Sequence, residues 1–343
     1  MKLSIGTKIK KSAWGGGNNF ATNLANFLKK KGIEVFFDLK QQDLDFIILT
    51  DPRAESMSSS FNDLDIINYQ LKFKKTLVIH RLNECDERKN TINVNRQLLH
   101  SNRVADHTVF VSKWLKNIYS NLGFKKQDYS IILNGANRKI FKFNPNSWSS
   151  GKLKIVTHHW SNHQNKGAKV YQMIDDLLNQ SEWKKKIEFV YIGNVPENII
   201  LKNTQIVEPL AGEQLAQVLS TCHIYLTGSI NEPGGNHQNE GANIGLPILY
   251  LDSGCMEEYC KGYGVAFKYE NFETKLNEII DNYFEIRKVM KGYPYYSEKM
   301  CDEYYNLILK MQENKKNILS EKIIPNLSLI EKMKIFKKRI LIS

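Results

Sequence analysis

The segment 229–247, Ser-Ile-Asn-Glu-Pro-Gly-Gly-Asn-His-Gln-Asn-Glu-Gly-Ala-Asn-Ile-Gly-Leu-Pro, carries two carboxylates, Glu232 and Glu240, with seven residues between them. A Pro-Gly-Gly turn lies in the interval, and a helix is expected to begin near Asn236. Glycines let a backbone approach a ligand, and the unpaired amides at a helix start attract an anion such as a diphosphate. Glu240, about one turn into that helix, is placed to accept hydrogen bonds from a ribose diol, while Glu232 on the loop faces outward into a cleft. A second polar run, Arg81-Leu82-Asn83-Glu84-Cys85-Asp86-Glu87-Arg88-Lys89, follows His80 at the end of an expected strand. Its position suits contact with a sugar or an acceptor, with His80, Asn83 and Glu84 as candidates and Asp86 as a loop acid paired with Arg88.

Such groups need a frame, and the frame is legible as short β-type runs alternating with helix-period segments, the pattern of parallel sheets with crossover helices. In the first half, strands are expected over 3–9, 34–38, 45–50, 76–80, 107–111 and 129–133, with helices over 19–31, 61–73, 93–105 and 113–122. The stretch 142–152, with Pro145, Gly151 and several Asn and Ser, interrupts the alternation as a linker would. The pattern then restarts, with strands over 153–158, 187–192, 204–207, 223–227, 247–251 and 265–267 and helices over 167–179, 212–221, 237–244 and 272–290. The expectation is an α/β protein of two doubly wound, Rossmann-like domains, residues 1–146 and 147–292, facing each other across a cleft. Ligands of such sheets bind beyond the carboxyl ends of the strands. Residues 293–343 form a third part: a helix with Tyr296, Met300, Tyr304, Leu307 and Met311 on one face, then a basic tail. The helix is expected to pack on a core, and the tail to lie on a membrane surface, to extend as a solvated tail or to dock on the first domain.

The length of 343 residues, 42% of them hydrophobic and 24% charged, fits two globular domains and excludes a small disulfide-stapled module. Lys and Arg exceed Asp and Glu by 12, which is compatible with an anionic ligand or an anionic membrane surface. Nucleic acid is not an expected partner, because no zinc-finger spacing, RNP-like aromatic strand or basic heptad region occurs. No apolar run is long enough for a membrane-spanning helix, and no signal-like segment opens the chain. Five cysteines without a Cys-x-x-Cys pair read as reduced thiols, so the expected location is cytoplasmic. No metal-ligand spacing is present.

The second half resembles the donor domain of the family 4 glycosyltransferases, retaining enzymes of the glycosyltransferase group 1 type with the GT-B architecture. The resemblance rests on the Glu232 to Glu240 motif with Gly245-Leu246-Pro247 after it, on Asn165-Lys166-Gly167, on the segments 189–193 and 209–215, and in the first half on Trp14-Gly15-Gly16-Gly17-Asn18-Asn19, 110–115 and 133–137. It covers about 300 residues, and its pieces occur in the family's order. It implies transfer of a sugar from a UDP- or GDP-sugar to a glycan or lipid-linked acceptor with retention of anomeric configuration. The nucleotide sugar would be a substrate, with no tightly bound cofactor. By the resemblance, Glu240 binds the ribose, Glu232 meets the donor sugar near the reacting carbon, and Lys166 neutralises the diphosphate. Gly234, Gly235, Asn236 and His237 line the donor, Gly16 and Gly17 close over the diphosphate, and Leu210 and Gly212 hold the base. His80 joins Glu232 and Lys166 as a candidate catalytic group.

Two departures stand out. The family carries an Arg five or six residues before the Lys, but residues 158–164 here are His-His-Trp-Ser-Asn-His-Gln. His158, His159, His163 or Arg138 are the candidates to replace it. Asn137 stands where the family often has Asp. Among rival readings, a dinucleotide-dependent oxidoreductase using NAD fails on its fingerprint, since Gly15-Gly16-Gly17-Asn18-Asn19-Phe20 is not Gly-x-Gly-x-x-Gly. A metal-dependent GT-A enzyme lacks a strand ending in Asp-x-Asp. A catalytically silent glycan- or nucleotide-binding module is the remaining alternative.

Overall fold

The computed structural model describes residues 1–10, 16–53, 55–145 and 148–340. Trp14 and Gly15 of the glycine-rich loop, and the expected division between residues 146 and 147, lie outside the described residues. Among the described residues twelve strands form two sheets: β1 (Lys2–Ile5), β2 (Glu34–Phe36), β3 (Phe46–Leu49), β4 (Leu77–Leu82), β5 (His107–Phe110) and β6 (Tyr129–Ile131) in the first, and β7 (Leu153–His159), β8 (Ile187–Gly193), β9 (Gln205–Val207), β10 (Ile224–Thr227), β11 (Ile248–Leu251) and β12 (Gly264–Phe267) in the second. Each expected strand is present. Every strand pair is parallel.

The order of the first sheet is β2-β1-β3-β4-β5-β6 and that of the second β12-β11-β10-β7-β8-β9. Strand order therefore reverses between β1 and β3 in one sheet and between β7 and β10 in the other, and at such a point the flanking loops part to leave a crevice. Both sheets are covered on two faces, which is why their strands are near-continuous apolar runs rather than alternating ones. In β3, Phe46 and Ile48 pack with the helix Gly16–Lys30, while Ile47 and Leu49 face the helix Asp63–Gln70.

Helix ends follow local chemistry. Asn62 and Asp65 form a reciprocal cap at Asp63–Gln70, and the Ser112 hydroxyl accepts from the Leu115 amide to start Lys113–Asn121. The helix expected over 272–290 breaks at Asn282 into Phe272–Asp281 and Tyr283–Val289. Beyond it the chain returns to the first domain. Helix Ser297–Glu313 buries Met300, Tyr304, Leu307 and Met311 against Phe20, Leu24 and Leu28. Farther on, Lys322 donates to the Asp106 carboxylate at 2.5 Å and to the Thr76 carbonyl at 2.8 Å, and Arg103 meets Glu331 at 2.6 Å. No helix among the described residues is long and apolar enough to cross a membrane.

Candidate active site at the switch point of the second sheet

Lys166 sits in the turn after β7. His163 caps this turn by accepting the Asn165 amide at 3.2 Å, and the Ile230 amide donates to the Asn165 carbonyl at 2.8 Å, tying the turn to the loop after β10. Gly167 makes that approach feasible. Its φ is +114°, and a Cβ there would lie 2.8 Å from the Gly228 Cα. The topology thus brings the Lys166 turn against the loop that carries Glu232.

Glu232 is 3% exposed. Its Oε2 accepts from Lys166 Nζ at 2.5 Å, and its Oε1 lies 3.5 Å from Arg88 Nε. Arg88 belongs to the first domain, on the short helix Asp86–Lys89 beyond β4. Its Nη1 donates to Glu84 Oε2 at 2.9 Å. The result is a line of alternating charge, Glu84, Arg88, Glu232, Lys166, that crosses from one domain to the other. Burial alone would raise the Glu232 pKa, but the charges of Arg88 and Lys166 outweigh it and hold the carboxyl at about 2. Lys166 moves the other way: burial pulls its pKa below the ordinary lysine value and the charge of Arg88 adds to that, against the attraction of Glu232 and, more weakly, Glu84.

Glu240 lies in the helix His237–Ile244, which begins where the sequence places it. Its Oε2 is 2.7 Å from His158 Nε2, and Asn236 Nδ2 donates to Oε1 at 3.4 Å. His158 in turn meets the Tyr225 hydroxyl through Nδ1 at 3.1 Å. His159 and His237 are buried beside it, bonded to the Tyr171 hydroxyl at 2.5 Å and to Thr227 Oγ1 at 2.9 Å. Burial drives both rings well below the usual histidine pKa, so they are neutral. Among the described residues no group of three His, Cys, Asp or Glu side chains is placed to hold a metal ion.

The first domain grips the Pro-Gly-Gly turn directly. Ser112 Oγ donates to the Pro233 carbonyl at 2.7 Å and Asn134 Nδ2 to the Gly234 carbonyl at 2.5 Å. A Cβ on Gly234 would lie 2.6 Å from Val111 Cγ2, so only glycine permits this contact. The void left among Arg88, His163, Asn165, Lys166 and Glu232 is only about 10 Å³. A larger cavity, of about 240 Å³, opens away from these groups, where the chain crosses back past Tyr295, Tyr296 and Met300.

Other candidates fall as follows. Gly16 and Gly17 open the exposed start of their helix, with no atom within 4 Å of where a Cβ would stand. Leu210 packs partly buried in the second domain's core, and Gly212 begins the helix Gly212–Leu219 at φ +57°. Asn83 contacts the Arg81 guanidinium and the Thr50 carbonyl. Glu84 holds Arg88 and thereby adjoins the site. His80 is not brought to it: the ring is fully buried within β4, Nδ1 meets Asn102 Oδ1 at 2.9 Å, and burial lowers its pKa to about 4. Asp86 is not Arg88's partner. It caps the next helix through the Val94 and Asn95 amides at 2.9 and 3.0 Å. Arg138 does not reach the cluster, being held by Asn243 at 2.9 Å and stacked 3.7 Å from the Tyr296 ring. The reading of residues 81–89 missed Arg88 as a site residue: nothing in that run sets it apart from Arg81, and its partner Glu232 is distant in the sequence.

No protein-family model matches the sequence, and no curated protein matches it. Solved structures do match its fold. A glycosyltransferase from Rickettsia africae ESF-5 superposes with a TM-score of 0.62 at 15% identity, over 94% of this chain and 99% of its own. Sucrose-phosphate synthase from Thermosynechococcus elongatus gives 0.62 at 12% identity, over 94% and 100%. Alr3699/HepE of Anabaena, solved in complex with UDP, gives 0.65 at 12% identity, over 90% and 99%. The fold is thus that of the GT-B glycosyltransferases, two Rossmann-like domains with parallel sheets.

Proposed function

We propose that the protein is a retaining glycosyltransferase that moves a sugar from a nucleoside-diphosphate donor, a UDP- or GDP-sugar, to a glycan or lipid-linked acceptor. Residues 147–292 serve as the donor domain, residues 1–146 as the acceptor domain, and residues 293–343 as a strap packed back on the latter. The observation that carries this reading is the Lys166–Glu232 pair in the loops after β7 and β10, with Glu240 bonded to His158 of β7 beside the point where the second sheet reverses its order. The UDP complex of HepE, a protein of the same fold, supports a nucleotide-sugar donor.

Breaking the bond from the anomeric carbon to the diphosphate places growing negative charge on a phosphate oxygen while the sugar becomes oxocarbenium-like. A fixed cation at that oxygen stabilises the transition state more than the ground state. Lys166 supplies it, Glu232 faces the sugar, and Glu240 exchanges His158 for the ribose diol. In a same-face displacement the acceptor oxygen bonds to the anomeric carbon as the bond to the diphosphate breaks, the leaving phosphate takes the acceptor's proton, and the configuration is retained. NMR of the first-formed product checks the anomeric outcome.

Thermal shift against UDP, GDP, ADP, CMP, dTDP and NAD tests the donor class. A ligand at a hundred times its dissociation constant adds about 2.7 kcal/mol to the folded state. One nucleoside diphosphate is expected to stabilise the wild type and to lose its effect in Glu240→Ala. A shift with NAD alone would replace this reading by an oxidoreductase, and no shift at all by a silent module.

Peripheral membrane contact belongs to the same proposal. Leu329, Ile330 and Met333 are exposed on the helix Leu329–Ile340, alongside Lys332 and Lys334. The protein is expected to sediment with anionic vesicles at low salt and to be released by added salt. Absence from the pellet at low salt removes the membrane from the reading.

A further inference from the structure

Two cations from different domains, Arg88 and Lys166, flank one buried carboxylate, Glu232, at 3.5 and 2.5 Å. The second domain also holds the backbone of the Arg88 segment: Asn165 Nδ2 donates to the Arg88 carbonyl at 3.1 Å and Asn231 Nδ2 to the Glu87 carbonyl at 3.2 Å. Glu84 fixes the other side of the guanidinium at 2.9 Å. Arg88 is thus positioned by its own loop and by the two loops that carry Lys166 and Glu232.

The charge balance of this group is close to zero, with two carboxylates against two cations. The void of about 10 Å³ is far below the several hundred Å³ of a small-molecule site. A phosphate group therefore reaches these donors only if the ion pairs of Glu232 with Arg88 and Lys166 separate. The diphosphate of a nucleotide sugar is itself an anion whose oxygens accept hydrogen bonds from the same donors. It can take over both cations and release Glu232 toward the sugar.

We propose that Arg88 is a donor-phosphate ligand supplied across the cleft, so that the nucleoside diphosphate is gripped by a Lys of one domain and an Arg of the other. This rests on the donor reading above. No arginine stands between His158 and Lys166, and Arg138 is committed elsewhere, so Arg88 is the guanidinium that adjoins Lys166 through a shared carboxylate. Arginine suits the task because its planar fork matches phosphate oxygens. Glu84 is a positioning residue that orients that fork.

The experiment is calorimetric titration of the full chain with UDP, or with whichever nucleoside diphosphate stabilises it, and in parallel with the matching nucleoside. Loss of a charged hydrogen bond predicts that Arg88→Ala weakens diphosphate binding about 10–100-fold and leaves nucleoside binding unchanged. Arg88→Lys, which keeps the charge but not the fork, is expected to fall between. Lys185→Ala, an exposed charge on the helix Ser181–Lys186, serves as the control and binds as wild type. Melting temperatures show that each variant is folded, and Arg88→Lys stands in if Arg88→Ala is not. Equal diphosphate affinity in the Arg88 variants, with loss in Glu240→Ala, overturns the proposal and leaves the donor reading intact. A wild type that binds no nucleoside diphosphate overturns both.

Discussion

Lys166→Ala is expected to lower kcat for sugar transfer about 10²–10³-fold, the range found when one preorganised donor to a developing oxyanion is removed. Lys166 is 12% exposed at its side chain, and its ammonium already meets a carboxylate at 2.5 Å, so it costs little reorganisation when a phosphate oxygen takes that carboxylate's place. The loss should appear equally in kcat and kcat/KM, because the contact strengthens as charge moves onto the leaving group. The fold should survive. Glu232 keeps Arg88 as a partner at 3.5 Å, so the carboxylate is not left as a lone buried charge. Lys166→Arg should not restore turnover, since a rigid guanidinium cannot occupy a point-charge position in the capped 164–166 turn. Turnover within a few-fold of wild type, at an unchanged melting temperature, would remove Lys166 from the leaving group.

The parts of this site that were legible in the sequence are those written in one short segment. Glu240 follows a glycine turn at helical spacing, so a local pattern locates it, whereas Lys166 stood out only through the family resemblance of Asn165-Lys166-Gly167. Arg88 carried no such signal, because its partner Glu232 is in the other domain and only tertiary contact joins them. His80 failed for a related reason. A histidine near a strand's carboxyl end reads as facing a cleft, yet β4 runs on through Leu82 and the ring turns inward to Asn102. The break at Asn282 was equally hidden, since apolar spacing continues on both sides of it. The parallel sheets were readable almost strand by strand, because burial on both faces writes them as uniform apolar runs. Their pairing order, which creates the switch points, is a property of the assembled sheets and not of any single run.

Glu232→Gln is expected to cost about 2–4 kcal/mol of folding stability at pH 7. Breaking a buried pair typically costs about 3–5 kcal/mol, and the partial exposure of Arg88, 24% at its side chain, reduces the figure. Gln can still accept from Lys166, but it leaves two adjacent cations without the anion between them. The cost must depend on pH in a defined direction. The folded carboxyl is held at about 2, below the ordinary 4.5, so its ion pairs contribute fully above about pH 4.5. Their contribution is lost progressively as pH falls toward 2, where the folded protein too takes up the proton. Urea unfolding of wild type and variant at several pH values from 7 to 3 should therefore show a gap that is constant above pH 5 and narrows below it. The gap isolates Glu232 from Glu331, also held at about 2, and Asp51, also lowered, because those groups titrate alike in both proteins. A gap that did not change with pH would mean that Glu232 is not the anion binding the two cations. A gap that narrowed while turnover stayed intact would confine Glu232 to holding the domains together.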